Sequence, residues 1–497
     1  MIWRVIVAIA AGIVMSLAFP PVGFGPYAIV AVALMTWTAH RQRAGRGFLY
    51  GFLTGAVFFA AHMYWMTVVG TDAWLLLAAY CALWIGLIGW GTALVTRLPL
   101  WPLWVGALWV FSEAIRGRFP FGGYPWGRLA FSQAGDAVAE WSYLLGMAGL
   151  TFVIAFSGAA IIAIGDALVQ RRTRAVITWS IPVAVILIVP ALFQPVFNGS
   201  RIVVAMVQGG TPQLGLGALD VRRAVLENHV QQTLALGAAI DSGDEARPAF
   251  VLWPENSSDI DPFTDADAAR LIDEAADAVG VPILVGAVIN VPEDPNVVQN
   301  VGIWWDPQTG PGRVYVKTRP VPFGEFIPFR AQLADLIGRF DRIPRDFMAG
   351  SQAGLFPVDG AVIGDGICFE VAYDAVMHEL VTSGATVLTI QTNNATYGNT
   401  AQPEQQFDIS VLRAIEHGRS VVVASTTGIS AAIAPNGDVI TVMGEGEVGY
   451  RVAEVPVQSA LAPSGRIAPW LEGLLVGGAV VAVLVAIAGR RIGFGRD

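Results

Sequence analysis

The sequence predicts two fold classes in one chain: a polytopic α-helical membrane bundle of about eight spans, and an α/β layered domain inserted before the last span. Three observations carry this expectation. The 497 residues are 54% hydrophobic and only 14% charged, and a mean hydropathy of +0.57 is too high for an ordinary soluble domain. Acidic residues are scarce before residue 200 and dense between Asp220 and Glu447, so the net charge of −9 belongs mainly to one region. From residue 201 the long apolar runs give way to short ones separated by amphipathic stretches. No basic patch suited to nucleic acid is present.

A helix needs roughly 20 apolar residues to cross about 30 Å of hydrocarbon. Such runs lie at about 2–19, 26–40, 48–69, 73–96, 98–115, 143–168, 176–195 and 467–489. The first two flank "FPPVGFGP" and fit a tight hairpin as well as two full crossings. At this count Arg4, Arg41, Arg43, Arg46, Arg97, Arg171, Arg172, Arg174, Arg490, Arg491 and Arg496 fall on one side, the cytoplasmic side by the positive-inside rule. Arg116, Arg118 and Arg128, in the third outer loop, are the exception. The amino terminus lacks a separate basic region and reads as a retained span rather than a cleaved signal peptide. The expected domains are 1–197 with seven transmembrane helices, 198–462 outside the cytoplasm, and 463–497 with the last helix and a cytoplasmic tail.

Within the inserted domain, "RIVVAMVQGG", "RPAFVLWPE", "VPILVGAVIN", "VGIWWDPQTGPGRVYVK", "GAVIGDGICFE", "ATVLTIQTNN" and "RSVVVASTTGISAAIAPNGDVI" read as Val- and Ile-rich strands. Between them, "LDVRRAVLENHVQQTLALGAAI", "DADAARLIDEAADAVG", "VAYDAVMHELVTSG" and "AQPEQQFDISVLRAIEHG" carry apolar residues at helical spacing. Strands alternating with helices imply sheets covered by helices.

No glycine-rich phosphate loop and no His or Cys pair at zinc-ligand spacing appears, and five scattered histidines suit neither a metal site nor a Ser-His-Asp triad. No metal or cofactor is expected. Three polar residues at the ends of apolar strands stand out: Glu255 in "LWPEN", Lys317 in "VYVKTRPVPFGE", and Cys368 in "GDGICFE". Lys317 is the only lysine beside 29 arginines. Cys81 lies in an apolar span, too remote to form a disulfide with Cys368. Singly each residue is ordinary: a cap, a surface charge, a small core hydrophobe. Together they make a chemical device.

The order "WPE", "K…VPFGE..P", "G..ICFE" resembles the nitrilase superfamily. With the preceding spans, "WVFSEAIRGRFPFGGYPWGRLAFSQ" and "RAIEHGRSVVVASTTGISAAIAPNG", the whole chain resembles the apolipoprotein N-acyltransferase family. The resemblance implies a four-layer αββα nitrilase-like sandwich on the extracytoplasmic face of the bacterial inner membrane. It implies a phospholipid acyl donor, a diacylglyceryl lipoprotein acceptor and a cysteine thioester between them. Glu255 is then the general acid/base, Lys317 the oxyanion stabiliser and Cys368 the nucleophile, with Glu325 and Glu370 in support. Tyr124, Trp126, Arg128 and Phe369 are candidates for substrate or interface contact, and Phe326 to Met348 for a membrane-facing arm. Thr396 stands where many relatives carry Trp, and Phe369 where Tyr is common. The bilayer is the surrounding partner and a monomer the expected unit. A membrane-tethered amidase cleaving a small C–N bond would use the same three residues.

Overall fold

The eight apolar segments become helices where the sequence put them, and the stretch between the seventh and the eighth forms a unit of its own. The computed structural model describes residues 1–497 apart from 193–194, 196, 198, 218–220, 222, 334–337 and 492–497. Asn198, Asp220, Arg496 and residues 334–337 of the candidate arm therefore lie outside the described residues. Unit one is Met1–Pro195 with Ala462–Asp497, and unit two is Val196–Leu461.

Unit one contains α1 (Ile2–Ser16), α2 (Pro26–Ala39), α3 (Ala44–His62), α4 (Thr71–Val95), α5 (Trp101–Arg116), α6 (Trp141–Val169) and α7 (Thr173–Leu192). After unit two it is completed by α13 (Ser464–Arg491). Among the described residues five stretches are long and apolar enough to cross a membrane: Ala44–His62, Thr71–Val95, Ala137–Val169, Thr173–Pro190 and Ser464–Gly489. The first two helices are shorter, at 15 and 14 residues. Helices α3 and α4 meet through small residues, since lipid supplies no hydrophobic drive and close backbone approach must serve instead. A Cβ on Gly51 would lie 2.4 Å from the Ile85 carbonyl oxygen, so glycine is what allows this approach.

Unit two runs β1 (Arg201–Gln208), α8 (Ala224–Ser242), β2 (Phe250–Leu252), α9 (Ala266–Val279), β3 (Ile283–Val291), β4 (Asp294–Asp306), β5 (Gly310–Val316) and a single turn, α10 (Arg330–Leu333). It continues with β6 (Asp346–Phe347), β7 (Gly354–Val358), β8 (Ala361–Ile367), α11 (Asp374–Thr382), β9 (Val387–Thr392), α12 (Gln402–His417), β10 (Ser420–Ser425), β11 (Ser430–Ile433), β12 (Val439–Met443) and β13 (Gly449–Pro456). One sheet has the order β13-β1-β2-β3-β4-β5 with β6 beside β4, and the other β12-β11-β10-β9-β8-β7.

Successive strand residues point to opposite faces. In β1, Val204 and Met206 enter the core between the sheets with Phe250, Leu252, Ile363 and Val422. Ala205 and Val207 face the other way, into a core with Leu226 and Val230 of α8 and Ile272 of α9. On the second sheet, Gly364 and Gly366 leave room for Leu380 and Met377 of α11. The layers are therefore helix, sheet, sheet, helix. Strands β6, β7 and β13 escaped the sequence reading. Of these, β13 pairs antiparallel with β1 along its length, from Arg201 opposite Pro456 to Gln208 opposite Gly449.

Candidate active site

The candidate residues leave the ends of neighbouring strands. Glu255 follows β2, Lys317 directly follows β5, and Cys368 directly follows β8, with Thr392 closing β9. Three non-glycine residues here have left-handed backbones: Asn256 (φ 56°), Phe323 (φ 62°) and Cys368 (φ 55°). Such conformations cost on the order of 1–3 kcal/mol each and persist where surrounding structure imposes them.

Lys317, 2% exposed, donates through Nζ to Glu255 Oε1 at 3.0 Å and to Glu325 Oε1 at 2.8 Å. Asn300 Nδ2 donates to the same two oxygens, at 2.7 and 2.9 Å. Two donors are thus clasped between two carboxylates, fixing the ammonium from both sides. The other oxygen of Glu325 accepts the Val321 N–H at 2.6 Å, and that of Glu255 accepts the Asn393 N–H at 3.0 Å. Desolvation works against the Lys317 ammonium, but attraction from Glu255, Glu325 and Cys368 outweighs it and holds the group well above the usual lysine range.

Cys368 receives a hydrogen bond from Thr392 Oγ1 at 3.4 Å. Gln406 Nε2 donates to that hydroxyl at 2.9 Å, and the one Thr392 proton has two acceptors within reach, the sulfur and Asn394 Oδ1 at 3.5 Å. Burial, then the Glu255 charge, push the Cys368 thiol up to about 12, while Lys317, Thr392 and the Asn393 backbone act in the opposite direction. At neutral pH Cys368 is therefore a thiol, and Glu255 is the carboxylate whose charge bears on it.

Glu370 is fully buried and spends both oxygens on its surroundings. One accepts the Thr318 N–H (2.8 Å), the Thr318 hydroxyl (2.8 Å) and the Arg319 N–H (3.0 Å). The other accepts the Tyr315 hydroxyl and the Ile367 N–H, both at 2.8 Å. Its geometry is that of a staple between the segments carrying Lys317 and Cys368. From α12, Arg413 holds the turn after the cysteine, donating to the Val371 and Ala372 carbonyls at 2.8 and 3.0 Å.

Phe369 is half-buried and meets Tyr373 edge-on with ring centroids 5.7 Å apart. Burial, then Cys368 and Glu325, push the Tyr397 phenol up to about 12. Tyr124, Trp126 and Arg128 belong to unit one. Trp126 is buried. Arg128 is buried as well, its Nε 3.3 Å from Glu113 Oε2, an engagement that the expectation of substrate or interface contact did not include. Arg116 fastens the same loop, donating to the Tyr124 and Trp126 carbonyls at 2.9 and 2.5 Å. Among the loop's arginines, Arg118 is the more exposed, with 59% of its side chain accessible.

Sequence reasoning missed Asn300, Thr392, Asn393 and Gln406. The signal for Asn300 was an amide among the apolar residues of "VVQNVGIWW", and for Thr392 and Asn393 the polar run "TNN" closing an apolar strand; Gln406, on α12, carried no such signal.

Residues 11–160 match the family model described as the apolipoprotein N-acyltransferase N-terminal domain, and residues 205–462 match the one described as carbon-nitrogen hydrolase. The sequence is 38% identical to an apolipoprotein N-acyltransferase of Mycolicibacterium smegmatis, over 97% of this chain and 84% of that protein. It is 27% identical to one of Gloeobacter violaceus, over 98% and 94%. Among solved structures, an amidase from Nesterenkonia sp. gives a TM-score of 0.38 at 17% identity, covering 53% of this chain and 93% of that one. A Saccharomyces cerevisiae member of branch 10 of the nitrilase superfamily gives 0.40 at 14% identity, covering 53% and 92%.

Proposed function

Since the chain belongs to the apolipoprotein N-acyltransferase family, we propose that it moves an acyl chain from a phospholipid, through a thioester on Cys368, to the α-amino group of a lipoprotein's diacylglyceryl-cysteine. In the first half, Cys368 Sγ attacks the ester carbonyl as Glu255 takes the thiol proton. The carbon–oxygen bond breaks and Glu255 returns the proton to the departing lysophospholipid oxygen. In the second half the acceptor amine attacks the thioester, Glu255 takes a proton from nitrogen, the carbon–sulfur bond breaks, and Glu255 passes that proton to the departing sulfur, which leaves as the thiol.

Both halves pass through an oxyanion. An ammonium has three N–H donors, and Lys317 uses two on Glu255 and Glu325, which leaves one for that charge. A donor aimed at an oxyanion typically contributes on the order of 3 kcal/mol. Glu325 and Glu370 are positioning residues, the first for the ammonium and the second for both strand ends.

The observation that carries this reading is the meeting of Glu255 and Lys317 at 3.0 Å with both charges acting on Cys368. The arginine distribution supports a multi-pass protein of the bacterial inner membrane with residues 198–462 on the extracytoplasmic face, where both lipid substrates are within reach. Tyr124, Phe369 and the described parts of the arm from Phe326 to Met348 are the candidates for lipid contact, whereas Trp126 is buried. All the proposed catalytic residues come from one chain, so a monomer suffices.

Intact mass after exposure to phospholipid is the test. The wild type is expected to gain one acyl chain and lose it to a diacylated lipopeptide, while Cys368→Ala gains none. Acylation of the alanine variant, or discharge to water alone, would defeat the proposal.

A further inference from the structure

Behind the strand ends, in the layer between the sheets, Asp365 on β8 and Gln391 on β9 are both fully buried. Thr389 Oγ1 donates to Asp365 Oδ1 at 2.8 Å, and Oδ2 has no hydrogen-bond partner. Gln391 Nε2 donates to the Trp253 and Leu284 carbonyls at 2.7 and 3.2 Å. Carbonyls only accept, so the amide cannot be turned round. Its Oε1 is therefore left unpartnered too.

The two orphaned oxygens crowd one spot. A Cβ on Gly302 of β4 would lie 2.7 Å from Asp365 Oδ2 and 2.8 Å from Gln391 Oε1, so only glycine leaves them this space. Two acceptors facing one gap repel unless a proton lies between them, and a buried acceptor left unmatched is costly. The ionisable groups that bear on Asp365 are Glu370, just beyond Cys368, and Tyr315 on β5, neither of them a cation. Burial pushes the Asp365 carboxyl well above the usual carboxylate range, with the Thr389 bond opposing and Glu370 adding to the shift.

We propose that Asp365 is a protonated positioning residue whose carboxylic O–H donates to Gln391 Oε1. This neutral pair sets the spacing between the strand delivering Cys368 and the strand delivering Glu255. Asp365 lies three residues before Cys368 on the same strand path, and Gln391 grips the carbonyl of Trp253, two residues before Glu255. Gln391 also immediately precedes Thr392 and Asn393, which bond Cys368 Sγ and Glu255 Oε2. The consequence for catalysis rests on the roles proposed above for Cys368 and Glu255; the protonation state does not.

Infrared difference spectroscopy on the full chain in lipid nanodiscs, wild type against Asp365→Asn, tests the proton directly. At neutral pH the wild type is expected to show a protonated-carboxyl carbonyl band that shifts in heavy water and is missing from the variant. Absence of that difference overturns the proposal. Asp365→Val is expected to lower kcat for thioester formation by about tenfold or more with KM for phospholipid little changed, because small misplacements of reacting groups are expensive. Asp365→Asn, which keeps a donor and an acceptor, should recover most of that loss; equal loss in both overturns the donor role. If Cys368→Ala still transferred acyl chains while the infrared difference stood, the catalytic reading would fall and the protonated pair would remain.

Discussion

Glu370 Oε1 accepts the Thr318 N–H at 2.8 Å, while its other oxygen accepts the Ile367 N–H at the same distance. One carboxylate thereby ties the residue after Lys317 to the residue before Cys368. Glu370→Gln would turn an NH2 group toward N–H donors that cannot reorient. Leaving one of them unpaired costs about 1–3 kcal/mol. Thermal unfolding should start several degrees lower, and thioester formation should slow at temperatures where the variant is folded. A Gln variant as stable and as fast as wild type would remove the staple.

Glu255→Gln should separate thiol acidity from acyl transfer. The Glu255 charge is one of the forces that push Cys368 up to about 12, so neutralising it makes the thiol easier to ionise. Alkylation of Cys368 should then begin at lower pH than in wild type. Acylation by phospholipid should nevertheless fall by about 10²–10⁴, the usual contribution of a general base. Slower alkylation together with slower acylation would mean that Glu255 only shapes the site.

Lys317→Arg keeps the positive charge and changes its shape. The ammonium is enclosed by oxygens of Glu255 and Glu325 at 3.0 and 2.8 Å, whereas guanidinium is a wide planar fork that prefers bidentate partners. Thioester formation should drop by about 10²-fold or more, the loss expected for a misdirected oxyanion donor. Near-normal acylation would undo the argument from shape.

Asp408 on α12 offers a stability test away from the site. Burial, then Glu404, raise its carboxyl to about 7. A folded-state value above the unfolded one means that its contribution is complete below the unfolded value, about 3.9, and is lost as pH climbs through about 7. The melting temperature of Asp408→Asn should therefore fall less than that of the wild type between acidic and mildly alkaline pH. Identical slopes would contradict the shift.

Much of this site could be read in the sequence because its chemistry sits at strand ends, where an apolar run stops on a polar residue. Glu255, Lys317 and Cys368 each announce themselves that way, and the uniqueness of Lys317 drew attention without any structure. Asn300 and Gln391 did not. Each is an amide inside a strand, and its importance comes from partners far along the chain, such as Glu255 for Asn300 and Trp253 for Gln391. Local patterning cannot report such partners. The same holds for Arg128, whose tie to Glu113 links a loop to a helix interior, and for β13, which stays unremarkable until it pairs with β1.

That last pairing has a consequence of its own. With Arg201 opposite Pro456, the polypeptide enters and leaves unit two on adjacent strands, so the two ends of the unit lie side by side. A short link across those ends would close unit two on itself, and new termini could be opened at a distant turn such as Asn436–Gly437, between β11 and β12.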